Sequence, residues 1–253
     1  MATRNTLTSP PGAVNNSSRA ESFLRLNYPN NTGIMICDKD SLIVLSGGLD
    51  STTLLHEYKE RTALAVTFDY GSNHNGREIA CARRQCAALG IEHIVIPLSF
   101  MGEYFKSSLL SGADAIPDGG YDTDNMKSTV VPFRNGIMLS VACGLAESRG
   151  LKHVLIANHG GDHAIYPDCR RPFVEAMDLA MREGTYINVS ILAPYTDITK
   201  ADIVARGSKL GVNYADTYSC YKGSERHCGT CGTCTERKEA FAVSGVPDPT
   251  SYE

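Results

Sequence analysis

The chain alternates short apolar runs with stretches in which apolar residues recur every three or four positions. The runs at 42–45, 63–68, 91–98, 151–157 and 189–192 have the length and flanks of strands buried on both faces. Between them, residues 51–61 and 77–89 read as helices. So do a stretch carrying Met138, Val141, Ala142 and Leu145, one marked by Phe173, Met177 and Ala180, and one after Thr199 with Ile203, Val204 and Leu210. Strands alternating with helices predict an α/β fold: a doubly wound parallel sheet covered on both faces. Residues 111–130 hold Gly112, Pro117, Gly119 and Gly120 and read as a long loop, a length that usually serves function. Residues 1–37 are rich in Ser, Asn, Thr and Pro and poor in core formers, so they read as a flexible tail, with Met35 an alternative start.

Composition narrows the class. Of 253 residues, 24 are Lys or Arg and 28 Asp or Glu, a net charge of −4 that gives no broad electrostatic case for binding nucleic acid. The apolar runs fall well short of the roughly 20 residues that span a bilayer, so no membrane role is expected. There are nine cysteines and no N-terminal stretch built like a secretory signal. The expected setting is a reducing cytoplasm.

Chemistry concentrates in two places. After the first strand comes Leu45-Ser46-Gly47-Gly48-Leu49-Asp50-Ser51-Thr52, two glycines and three hydroxyls between a strand and a helix. Such a turn brings backbone N–H groups and the positive end of a helix to an anion. Neither the Gly-Lys-Ser/Thr ending of a kinase-type loop nor Gly-x-Gly-x-x-Gly is present. Near the C-terminus, Cys220, Cys228, Cys231 and Cys234 have the compact spacing of a four-thiolate zinc site, closed and therefore structural. His227 beside them reads as a surface or loop residue. The expected organisation is a nucleotide-binding domain over 38–212 and a zinc lobe over 213–253.

The Ser-Gly-Gly-x-Asp-Ser pattern, with Phe68-Asp69-Tyr70-Gly71 after the second strand, resembles the loop of the ATP pyrophosphatase (PP-loop) superfamily. That resemblance implies cleavage of ATP between the α- and β-phosphates and transfer of AMP to an oxygen. It carries ATP contacts onto Leu45, Ser46, Gly47, Gly48, Leu49, Asp50, Ser51, Thr52, Thr53, Leu54, Leu55 and Asp69. Asp50 and Ser51 become candidate catalytic residues, Asp50 either organising Mg²⁺ or capping the helix.

A narrower resemblance covers residue 40 onward. It rests on Val131-Pro132-Phe133-Arg134-Asn135-Gly136, Gly161-Asp162-His163-Ala164-Ile165-Tyr166-Pro167-Asp168-Cys169-Arg170, the Ser219-Cys220-Tyr221-Lys222-Gly223 and His227-Cys228-Gly229-Thr230-Cys231 segments, and Asp248-Pro249-Thr250-Ser251-Tyr252. These resemble the QueC family of 7-cyano-7-deazaguanine synthases. The resemblance implies that ATP adenylates 7-carboxy-7-deazaguanine, ammonia forms the amide, and a second adenylation yields the nitrile of queuosine biosynthesis, commonly on a homodimer. Arg134 would pair with phosphates or the acid, and Lys200 would reach the phosphates. Asp162, His163, Tyr166, Asp168 and Arg170 are candidate substrate contacts. Cys169 is not expected to be a nucleophile. Two other readings stay open: a related enzyme passing the activated acid to another amine, or one that modifies tRNA. A zinc-binding nucleic-acid module would leave the glycine turn idle.

Overall fold

The computed structural model describes residues 39–113, 115–121 and 126–253, so the expected tail lies outside the described residues. Five strands form one parallel sheet: β1 Ser41–Val44, β2 Thr62–Asp69, β3 Glu92–Pro97, β4 His153–Leu155 and β5 Ser190–Leu192. Their order is β3-β2-β1-β4-β5. After β3 the chain crosses over and returns on the other side of β1, so the C-terminal ends of β1 and β4 flank a topological switch point. That is where a doubly wound sheet opens a crevice.

Alternation along the strands assigns the two faces. Leu42, Leu64, Val66, Phe68, Val154 and Ile156 pack with α4 (Arg134–Ser148) and α5 (Arg171–Glu183), which contribute Leu139, Ala142 and Val174. Ile43, Leu45, Ala65 and Leu155 pack with α1 (Leu49–Glu57), α2 (Asn75–Leu89), α6 (Lys200–Lys209) and α7 (Gly232–Ser244) through Leu54, Cys86, Ile203 and Phe241. A short helix, α3 (Ser99–Tyr104), seats the fully buried Met101. Each buried side chain of that size removes about 1.5–3 kcal/mol of exposed apolar surface.

The stretch Lys127–Ser148 is long and apolar enough, with a mean hydropathy of 1.3, to cross a membrane on composition alone. Here it is a 3₁₀ turn, Lys127–Thr129, followed by α4, whose apolar face is spent on the sheet. Residues 115–121, within the stretch read as a loop, form no helix or strand. Helices α3 and α7 have no counterpart in the sequence reading.

Candidate active site

In the glycine turn the two serine hydroxyls hold each other and the backbone. Ser46 Oγ accepts from Gly48 N at 3.1 Å and lies 3.0 Å from Ser51 Oγ, which in turn accepts from Ser46 N. Gly47 has φ +90°, and a Cβ there would sit 2.2 Å from the Glu78 carbonyl oxygen. Only glycine satisfies both conditions. Gly48, at φ −77°, caps α1. The first-turn N–H groups of Leu49, Asp50 and Ser51 have no intrahelical acceptor, leaving a patch of positive potential.

This turn is one wall of a cavity at the switch point. Leu45, Ser46, Gly48, Leu49, Asp50 and Ser51 line it from below; Arg134, Asp162, Tyr166 and Lys200 enter from elsewhere. The remaining loop candidates lie behind that wall. Gly47 supports the turn from outside, and Leu54 and Leu55 are fully buried in the core. Thr53 Oγ1 is 2.9 Å from Tyr214 Oη, while Thr52 Oγ1 is buried without a partner. Asp69 accepts from Gly71 N at the end of β2, away from the lining.

A chain of charges runs beside the turn. Lys200 Nζ lies 3.4 Å from Asp50 Oδ2 and is bonded to Glu236. Burial works against the ammonium, but Asp50 and Glu236 outweigh it and hold Lys200 protonated. His159 continues the chain: Gly161 N donates to its Nδ1, so Nε2 carries the hydrogen, 3.6 Å from Asp162 and 3.8 Å from Glu236. Tyr121 donates to Asp162 at 3.0 Å. Asp50 Oδ1 is buried with no partner among the described residues, the kind of orphaned acceptor a cation would satisfy.

Across the cavity, Arg134 opens α4 from Phe133, held in the left-handed region at φ +53°. Its guanidinium donates to Tyr70 Oη at 3.2 Å. Among the described residues no carboxylate pairs with it. Tyr166 and Tyr221, with hydroxyls 3.1 Å apart, and His74, stacked on Tyr221 at 5.2 Å, complete an aromatic wall. Burial, aided by Arg134, drops the His74 pKa to about 4, so the ring is neutral. Burial pushes the Glu78 carboxyl up to about 8, with Arg134 opposing.

Three candidates of the Asp162–Arg170 region, His163, Asp168 and Arg170, stand outside this lining. Asp168 accepts from Asn135 N at 2.8 Å and so closes the open start of α4. Arg170 is exposed and donates to the His163 carbonyl, and His163 Nε2 is buried without a partner. Cys169 does line the cavity, with a thiol that burial keeps neutral. His74, Glu78, Asn158 and Tyr221 line it too; the sequence singles out none of them as a site residue, although Tyr221 stands in the Ser219–Gly223 segment and His74 and Glu78 share an i, i+4 spacing at a helix start.

The four C-terminal cysteines converge. Their Sγ atoms lie within 4.8 Å of one another and all are buried. Backbone N–H groups of Cys228, Thr230 and Cys231 point at these sulfurs at 3.3–3.4 Å, as thiolates around a metal require. The donor set fits Zn²⁺, which would be held by thiolates alone and closed to water. His227 is no surface residue. It is buried, accepts from Ser219 N at 3.0 Å and is packed against Tyr218 and Tyr252, because its ring replaces the solvent that a short loop backbone would otherwise need. Arg237, 1% exposed, ties α7 to the turns on either side through Thr217, Ser219, Thr250 and the Tyr214 carbonyl.

A family model described as queuosine biosynthesis protein QueC matches residues 40–245. Over 216 residues the chain is 62% identical to a 7-cyano-7-deazaguanine synthase of Porphyromonas gingivalis, an alignment covering 85% of this chain and 98% of that one. A protein of the same name from Desulfotalea psychrophila is 52% identical over 215 residues, covering 84% and 98%. Among solved structures, an NMN synthetase from Francisella tularensis aligns with a TM-score of 0.46 and 14% identity, over 83% of this chain and 79% of that one. With its family model spanning both the glycine turn and the four cysteines, the chain belongs to the QueC family.

Proposed function

We infer that this protein converts 7-carboxy-7-deazaguanine and ammonia into 7-cyano-7-deazaguanine in the cytoplasm, consuming ATP at two adenylation steps. The observation that carries the reading is the meeting, in one cavity, of an anion-receiving helix start and an Arg134 guanidinium that no carboxylate among the described residues pairs with. We assign residues 38–212 to nucleotide and acid binding and 213–253 to the zinc-bound support.

A carboxylate is a poor electrophile until its oxygen carries a good leaving group. The first-turn N–H groups of α1, Ser46 and Ser51 are placed to take up the charge that builds on departing pyrophosphate. Lys200 adds a fixed positive charge beside them. Mg²⁺, where bound, would neutralise phosphate charge, and Asp50 would hold it. Arg134 holds the acid through its planar fork, with Tyr70, Tyr166 and Tyr221 keeping water from the activated acyl group. The same turn serves again when the amide oxygen is adenylated and AMP leaves to give the nitrile.

Mass spectrometry of the product from purified protein, ATP, ammonium and the acid tests the reading. The expected result is nitrile, with AMP and pyrophosphate. Amide as the final product, or AMP release without any change in the acid, would reject it.

A further inference from the structure

Making an amide and then a nitrile strips protons from nitrogen, and the cavity must hold a group that takes them. Its carboxyls are not equivalent. Asp50 is paired with Lys200, and Asp162 accepts from Tyr121 and faces His159. Glu78, in the first turn of α2, lines the cavity and keeps 14% of its side chain exposed, and its carboxyl makes no hydrogen bond among the described residues. Among the described residues its one ion-pair neighbour is His74 at 3.7 Å, a ring that burial keeps neutral. Glu78 Oε1 lies 4.0 Å from where a Cβ on Gly48 would stand, so the carboxyl reaches the glycine turn.

We propose that Glu78 is the base that accepts the nitrogen-borne proton at both carbon–nitrogen steps, an assignment that rests on the reading above. In the first step the ammonia lone pair attacks the acyl carbon and a C–N bond forms. The C–O bond to AMP breaks with its electron pair on the AMP oxygen, and one N–H proton passes to a Glu78 carboxylate oxygen. In the second, O-adenylation leaves a nitrogen bearing two protons; one is released to solvent to give the neutral imidate, which gives up its remaining N–H proton to Glu78. That electron pair becomes the third C–N bond, and AMP again leaves with the C–O pair. Between steps the proton returns to solvent.

The groups facing Glu78 suit this use. His74 at the start of α2 and Tyr70 before it are neutral, Cys81 one turn on is a neutral thiol, and among the described residues Arg134 from α4 is the cation that acts on it. A carboxyl in that setting titrates near pH 8, within reach of ammonium, whereas an ordinary glutamate would be too weak a base.

The test separates adenylation from nitrogen transfer in E78Q. Acid-dependent exchange of labelled pyrophosphate into ATP, run without ammonia, should stay within about threefold of wild type. Amide formation should fall 100-fold or more, the usual range for removing a general base. The rise of wild-type amide formation with pH through about 8 should vanish in E78Q and return, at reduced rate, in E78D. Melting temperature and zinc content establish that both variants fold. Unchanged amide formation overturns the proposal. So does equal loss of exchange and amide formation, which would make Glu78 part of the phosphate or metal machinery. Absence of acid-dependent exchange in the wild type would instead overturn the functional reading itself.

Discussion

The two adjacent glycines of the turn make a sharp test, because they look alike in the sequence and differ in space. In Gly47→Ala the new methyl would lie 2.2 Å from the Glu78 carbonyl oxygen, a backbone atom that cannot rotate away. Against the 3.0 Å that real Cβ contacts respect, the shortfall is 0.8 Å, and the φ of +90° adds strain of its own. That backbone strain costs about 1–3 kcal/mol, and forcing α2 aside costs about as much again. At roughly 2–4 °C per kcal/mol for a chain of this size, the melting temperature should fall by about 4–24 °C. The displacement also moves the Glu78 carboxyl and the turn, and a 1 Å error at a reacting centre is worth about 100-fold in rate. Gly48→Ala meets nothing closer than Ser46 Oγ at 3.2 Å and Tyr218 O at 3.4 Å, in an extended conformation open to any residue. It should melt within about 4 °C of wild type, since surplus contacts of that size cost under roughly 1 kcal/mol. Thermal melts and pyrophosphate exchange on both variants decide the matter. A Gly47→Ala protein that melts and turns over like wild type would refute the steric account of the turn.

Arg134→Lys keeps the charge but loses the planar fork, so kcat/KM for the acid should fall about 10–100-fold with little change in melting temperature; parity with wild type would remove Arg134 from acid binding. Cys231→Ser should lose the metal and a large part of the stability, read by elemental analysis and thermal melting. A metal-free variant that stays folded and active would contradict the support role. Glu78→Gln should be more stable than wild type near neutral pH. The folded carboxyl titrates at about 8 against 4.5 in the unfolded chain, so wild-type stability is intact below pH 4.5 and erodes as pH rises toward 8. The gap should grow to about 3 kcal/mol by pH 7, and urea melts at pH 5 and pH 7.5 that show no widening would disprove it.

Most of the sheet was legible because alternate residues feed opposite cores: Leu42 goes to one face and Ile43 to the other, a pattern only a strand buried on both sides produces. Strand ends were less so. The 151–157 run supplies only His153–Leu155 as strand; Ile156, whose N–H still donates to the Leu192 carbonyl, and Asn158 beyond the run line the cavity. Helix α7 went unread because its first turn is Gly-Thr-Cys, where the cysteine spacing masks the helical period. The glycine turn and the four cysteines were visible because their chemistry is local. His74, Glu78 and Tyr221 were not, since each becomes part of the site only through the crossover that brings α2 and the cysteine segment to the ends of β1 and β4. Asp168 shows the reverse: a carboxylate in a conspicuous motif whose bond closes a helix start.

The cysteine cluster shares its backbone with the reaction chamber. Tyr218, Ser219 and Tyr221 bracket Cys220, and Thr233 adjoins Cys234, yet all four of these neighbours form part of the cavity lining. Extracting the ion should therefore slacken two sides of the chamber at once. A cell starved of zinc, or one whose thiols have been oxidised, would be expected to lose this product before it loses the polypeptide, and to regain it on metal repletion without fresh synthesis.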